Sequence, residues 1–144
     1  MMWDRQLDAL GKKIFEKRMT FLNRFVPSFQ KYYQFISGEN EVAEMIYQSQ
    51  LHQYDMLSEL KISLKNDIAR GFTGIGIHKD DFEINLDGFQ VKKFASQGQK
   101  KSCIIALKLA QFEYVMNSKG FKPILLLDDV FDKLDDHRVA QLMK

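Results

Sequence analysis

FASQGQKKSCIIALKLAQFEYVMNSKGFKPILLLDDVFDKLD, residues 94–135, decides the fold. A Ser96-Gln97-Gly98-Gln99 turn opens an apolar helix that ends near Gly120. The short run Pro123-Ile124-Leu125-Leu126-Leu127 then delivers two adjacent carboxylates, Asp128 and Asp129. That run has the length of a fully buried strand and is too short for a helix. A rigid buried strand holds its terminal carboxylates at the end of a sheet, where α/β proteins bind ligands. One such aspartate can hold Mg²⁺ and its neighbour can orient a water for attack on phosphate. The turn before the helix is complementary: Ser96 offers a hydroxyl, Gly98 allows close backbone approach, and a helix N-terminus favours an anion.

These residues carry a resemblance. Ser96-Gln97-Gly98-Gln99 looks like the signature motif of ABC-type ATPases. Leu125-Leu126-Leu127-Asp128-Asp129 looks like a Walker B, and Asp132-Lys133-Leu134-Asp135 like the D-loop that follows it. In this order they resemble the RecF family of bacterial DNA replication and repair proteins. Thr73-Gly74-Ile75-Gly76-Ile77-His78-Lys79-Asp80-Asp81 resembles that family's T-x-x-G-P-H-R-D-D stretch, with Ile77 in place of Pro and Lys79 in place of Arg. The resemblance covers residues 70–144 closely and 1–69 loosely. Any one of the motifs alone is weak or moderate; their order and spacing make the combination specific.

The resemblance implies an α/β chain: part of a RecF/ABC-type P-loop ATPase fold with a β-hairpin, a signature helix and a Walker B strand, behind an N-terminal helical arm. The expected boundaries are 1–70 for the arm and 71–144 for the ATPase subdomain. It implies a slow ATPase whose subunits pair head to tail around ATP and Mg²⁺. Ser96, Gln97, Gly98 and Gln99 would contact a γ-phosphate held by the partner. Asp128 would serve the metal, Asp129 would orient the attacking water, and Asp132 and Asp135 would act in the D-loop, Asp135 across the interface. The implied setting is cytoplasmic recombinational repair of gapped DNA, on single-/double-strand junctions, with RecO and RecR and a functional link to RecA. Competing readings are another SMC-like or ABC repair ATPase, disfavoured by the lack of sustained heptads over residues 1–69, and a non-catalytic module that binds DNA or a partner.

A phosphate-binding G-x-x-x-x-G-K-[ST] loop is absent from these 144 residues. Gly71, Gly74 and Gly76 are not followed by Gly-Lys-Ser/Thr. The expectation is therefore a C-terminal portion of a RecF-like protein, inactive by itself. Net charge is +2, so overall charge does not announce nucleic-acid binding. The single cysteine, Cys103, excludes an internal disulfide and a cysteine-based zinc site. No apolar run approaches the length of a membrane span.

Along the rest of the chain, Trp3, Leu7, Leu10, Ile14, Phe21, Leu22 and Phe25 recur at helical spacing. Pro27 is expected to end or restart that helix, and Phe29, Tyr32, Tyr33, Phe35 and Ile36 continue it as core aromatics up to Ser37-Gly38. Lys12, Lys13, Lys17 and Arg18 form a candidate stripe for DNA phosphates. Asp4, Asp8 and Glu16 interleave with them, which favours an ordinary solvated face. Residues 41–48 are ambiguous by local propensity, and the family resemblance favours an edge strand there; residues 54–69 read as a helix closed by Gly71. Phe82–Leu86, the Asp87-Gly88 turn and a return over Phe89–Phe94 predict a hairpin. His78, Lys79, Asp80 and Asp81 make a poor metal set. Asp80 or Asp81 is expected to cap a turn, with Lys79 solvated; in a dimer, His78 and Lys79 would instead face nucleotide or partner. Cys103 reads as a packed side chain rather than a reactive thiol.

Overall fold

The computed structural model describes residues 2–38, 41–127, 134 and 136–142. Their elements run α1 (Met2–Ser37), β1 (Ala43–Gln48), α2 (Met56–Arg70), β2 (Asp81–Leu86), β3 (Phe89–Gln90), α3 (Val91–Phe94), α4 (Gln97–Lys119) and α5 (Asp136–Leu142). Two compact units emerge, each discontinuous in sequence. One comprises Met1–Phe21 with Tyr47–Phe82, the other Leu22–Ile46 with Glu83–Lys144.

The second unit holds most of the core. Leu22, Phe25, Phe29, Tyr33 and Ile36 lie on one face of α1, and all five are buried. This stripe explains why α1 neither ends nor restarts at Pro27, the two outcomes its sequence suggested, but runs through it for 36 residues. A proline inside a helix costs ~3 kcal/mol in a lost hydrogen bond and a clash with the preceding turn. Burying large apolar side chains returns about 1.5–3 kcal/mol each, and three of them, Phe29, Tyr33 and Ile36, are wholly inaccessible. Ala43, Leu86, Cys103, Ile105, Ala106 and Ala110 complete the buried set.

The sheet has the order β1-β2-β3. β2 and β3 are antiparallel, with Asn85 opposite Gln90 and Leu86 opposite Phe89. Asp87 and Gly88 both have positive φ, 48° and 81°, the pattern a two-residue hairpin of the right twist requires. Asp87 also donates its N–H to Val42 O at 3.0 Å and accepts the Val42 N–H on its carboxylate at 2.9 Å, tying the turn to the start of β1. The return strand is shorter than expected. It stops at Gln90, and Val91–Phe94 form one helical turn. Only two residue pairs join β3 to β2, too few to hold the good helix formers Lys92 and Lys93 in a strand.

Residues 123–127 do not form the buried strand expected of them. They adopt no regular structure, and Ile124 and Leu126 are 89% and 86% exposed. A strand exists only beside a hydrogen-bonded neighbour, and no described strand pairs with this run.

In the first unit, Asp55 caps α2 by accepting the Ser58 N–H, and Gly71 closes it in the left-handed conformation, φ 77°. Gly11 of α1 is buried against Met56 of α2. A Cβ there would stand 2.6 Å from the Met56 sulfur, so only glycine fits without a shift. Tyr47 stacks on Phe15 and Phe82, with His52 edge-on to Tyr47 and Phe15. Trp3, Leu7, Leu10 and Ile14, which share helical spacing, are exposed along α1. Among the described residues no helix is long and apolar enough to cross a membrane.

Candidate functional site

The turn at the start of α4 has the geometry its sequence suggests. Ser96 is the N-cap. Its Oγ accepts the Gln99 N–H at 3.2 Å, and Gln99 Oε1 accepts the Ser96 N–H at 2.8 Å. This reciprocal capping box satisfies two groups that a helix end otherwise leaves open. Gln97 and Gly98 occupy the first two helical positions, whose N–H groups have no acceptor within the helix. The Ser96 hydroxyl, having spent an acceptor site on the cap, keeps its O–H as a donor. Ser96 and Gln97 are exposed, while Gly98 and Gln99 are half-buried. One turn on, Ser102 Oγ donates to Gly98 O at 2.9 Å.

Behind the turn lies a carboxylate that sequence reasoning missed. Glu41 Oε1 accepts from Gln99 Nε2 at 2.7 Å. Its other oxygen accepts the Tyr33 O–H at 2.5 Å and Arg138 Nη2 at 3.5 Å. Burial, then the Glu41 carboxylate, lifts the Tyr33 phenol above its ordinary range. Burial likewise pushes the Cys103 thiol up to about 12, with Glu41 adding to it, so Cys103 is the packed side chain its context suggested.

Asp128, Asp129, Asp132 and Asp135, the proposed metal, water-orienting and D-loop residues, lie outside the described residues. Among the described residues no group of three or more His, Cys, Asp or Glu side chains could hold a metal ion. Pro123–Leu126 line, with Lys108, Gln111, Phe112 and Val115 of α4, a shallow cleft of about 260 Å³.

In the first unit, His78 and Lys79 stand exposed on a short 3₁₀ turn. A His78 ring nitrogen lies 2.8 Å from Thr73 O, and Lys79 Nζ sits 4.9 Å from the Phe72 ring centroid. Asp81 caps locally, accepting the Phe82 N–H at 2.8 Å. Asp80 does something else. Its side chain is 2% exposed, and Oδ2 accepts from Arg18 Nη1 at 2.6 Å and from the Tyr47 O–H at 2.5 Å. Arg18 Nη1 also donates to Ile77 O at 2.9 Å. Burial, then the Asp80 bond, raises the Tyr47 phenol.

Within the basic stripe the four side chains are not equivalent. Arg18 is committed to Asp80 and Ile77. Lys12 bridges Asp8 and Asp55, each at 2.9 Å, and these bonds raise its pKa. Lys12, then the Ser58 cap, pulls Asp55 down to about 2. Lys13 and Lys17 are exposed.

Comparison with known proteins adds to this geometry. No family model matches the chain. It is 48% identical over 142 residues to the DNA replication and repair protein RecF of Flavobacterium johnsoniae, a match covering 99% of this chain and 40% of that protein. It is 43% identical to RecF of Azobacteroides pseudotrichonymphae, covering 99% of this chain and 39% of that one. A solved structure described as "Structure of the recombination mediator protein RecF-ATP in RecFOR pathway" superposes with a TM-score of 0.84 at 32% identity, over 99% of this chain and 40% of that chain. A second, with RecF-ATPrS, gives 0.82 at 31% identity over 99% and 41%. The chain is thus similar to RecF proteins along almost its whole length and spans about two-fifths of theirs. Its mixed fold of helices and a small antiparallel sheet is that of the matching portion of those RecF structures.

Proposed function

We propose that this chain is the signature-bearing portion of a RecF-like DNA replication and repair ATPase, divided into a helical arm, 1–70, and an ATPase subdomain, 71–144. The observation that carries the proposal is the capped turn at Ser96–Gln99. It offers the Ser96 O–H and the Gln97 and Gly98 N–H groups at the positive end of a 23-residue helix, an arrangement suited to a phosphate. Similarity to a RecF structure that holds ATP supports the same ligand here.

In the mechanism we infer, ATP is bound by the P-loop of one subunit and closed over by Ser96, Gln97, Gly98 and Gln99 of the other. Nucleotide thereby joins two subunits on DNA, and hydrolysis parts them. Asp128 would hold Mg²⁺, which neutralises phosphate charge when bound; a carboxylate is the donor this hard cation takes. Asp129 would orient the attacking water, and Asp132 and Asp135 would lie near the subunit interface. His78 and Lys79, which are exposed and adjacent, would face nucleotide or the partner subunit. Of the four basic residues on α1, exposed Lys13 and Lys17 are the better candidates for DNA phosphates, since Lys12 and Arg18 already serve carboxylates. Gapped DNA, the RecO and RecR partners, the link to RecA and a cytoplasmic setting come with the same reading.

Binding of a fluorescent ATP analogue tests it. The chain alone is expected not to bind, and binding should appear on mixing with a P-loop-bearing fragment of a complete protein. Tight binding by the chain alone would refute the assignment. In a complete protein Asp129→Asn should preserve ATP-dependent dimers while slowing turnover; unchanged hydrolysis would remove Asp129 from its role.

A further inference from the structure

Three donors from three helices converge on one carboxylate in the second unit. Tyr33 comes from α1, Gln99 from the first turn of α4, and Arg138 from α5. The Glu41 side chain is 18% exposed and Arg138 15%, so water competes little for these bonds. The bond to Gln99 has a specific effect. The Gln99 amide has one oxygen and one nitrogen, and only the oxygen can accept the Ser96 N–H. A carboxylate accepts and cannot donate, so Glu41 fixes the amide with Nε2 toward itself and Oε1 toward Ser96. Remove it, and only the Ser96 N–H still selects that orientation; the turned amide, which puts a donor against a donor and opens the box, becomes more accessible.

We propose that Glu41 is a positioning residue that presets the Ser96–Gln99 turn and links it to α5 through Arg138. The link matters for function only if the reading above holds, since α5 follows the segment carrying Asp128, Asp129, Asp132 and Asp135. A displacement of α5 would then alter the hold on Glu41, and through Gln99 the readiness of the turn. Glu41 touches no ligand in this scheme and acts through Gln99.

Backbone amide hydrogen exchange on the chain tests the positioning role. Glu41→Ala should accelerate exchange at Ser96 and Gln99 about fivefold relative to Leu109 in the middle of α4, the loss expected for an opened helix cap. Glu41→Gln keeps an acceptor for Gln99 and should leave those two amides within about twofold of the parent chain, which also serves if Glu41→Ala fails to fold. In Glu41→Gln the Gln99 side-chain amide resonance should keep a bonded shift, while the Arg138 guanidinium resonance moves. Unchanged Ser96 and Gln99 exchange in Glu41→Ala, or equal acceleration in Glu41→Gln, overturns the proposal. A second readout separates it from the proposed function. In a complete protein, Glu41→Ala should leave ATP affinity of the single subunit within about twofold and weaken ATP-dependent dimers by about fivefold or more. Exchange that responds while dimers do not would leave Glu41 as a positioning residue and reject the turn as a nucleotide contact.

Discussion

Replacing Arg18 with methionine isolates one ion pair. Asp80 is 2% exposed and loses the only cationic partner it has among the described residues, keeping the Tyr47 hydroxyl on Oδ2; among the same residues, buried Oδ1 has no hydrogen bond to lose. Removing one member of a buried pair costs about 3–5 kcal/mol. Arg18 is 35% exposed, so water already screens the pair, and the lower end of that range applies. The lost bond to Ile77 O lies within the same figure, and methionine keeps the aliphatic packing of the arginine stem. The expected loss is about 3 kcal/mol. With a urea dependence near 2 kcal/mol per M, typical of small proteins, the midpoint falls by about 1.5 M. Urea unfolding followed by far-ultraviolet circular dichroism measures it, with Lys17→Met as the exposed control, expected within about 0.5 kcal/mol of the parent. Asp80→Asn together with Arg18→Met should cost less than the two single losses added, by at least about 1 kcal/mol. If Arg18→Met costs no more than Lys17→Met, or the double variant is additive, Arg18 is a surface cation and returns to the candidate DNA stripe on equal terms with Lys17.

Pro27 is exposed within α1, so Pro27→Ala removes a helix penalty without opening the core and should stabilise the chain by about 1–3 kcal/mol, read as a higher urea midpoint. Asp55, held at about 2 when folded against roughly 3.9 when unfolded, contributes stability that is complete above about pH 4 and lost as pH falls through about 2. Asp55→Asn should therefore flatten the decline of the midpoint between about pH 4 and 2, and an unchanged slope would reject the Lys12 pairing. Cys103, buried with its thiol pushed up to about 12, should resist a thiol-specific disulfide reagent at pH 8 until denaturant is added; rapid labelling of the native chain would contradict its burial.

What could be read from the sequence was local. The Ser96…Gln99 box spans four residues, and its chemistry is confined to one turn. Gly71 and Gly120 close helices because a left-handed residue must follow the last turn, and both have positive φ, 77° and 73°. Asp87-Gly88 makes its turn for the same kind of reason. Readings that depended on distant partners fared differently. Whether Pro27 stops a helix depends on what its flanks bury, and Phe25 and Phe29 outweigh it. Whether Ile124–Leu127 form a strand depends on a neighbour that no periodicity reveals. Asp80 resembled a turn cap because its partner Arg18 is 62 residues away. Glu41 carries no local signal beside the loop residues Ser37-Gly38, since its partners Gln99 and Arg138 lie 58 and 97 residues on. The acidic residues 128, 129, 132 and 135 rest on their order in the chain and the family resemblance.

The bare run Ile124–Leu127 has a practical side. Four consecutive apolar residues, with Ile124 and Leu126 almost fully exposed, form the kind of segment that stacks with copies of itself. In sequence it is bracketed by charge: Lys119 and Lys122 before it, Asp128 and Asp129 after it. Such flanking charges act as gatekeepers against aggregation. Asp128 and Asp129 would then guard solubility whatever chemistry they perform. Asp129→Asn removes one of those charges, so lost turnover in that variant can report a precipitating protein rather than a missing catalytic group. Light scattering on the same sample tells the two apart.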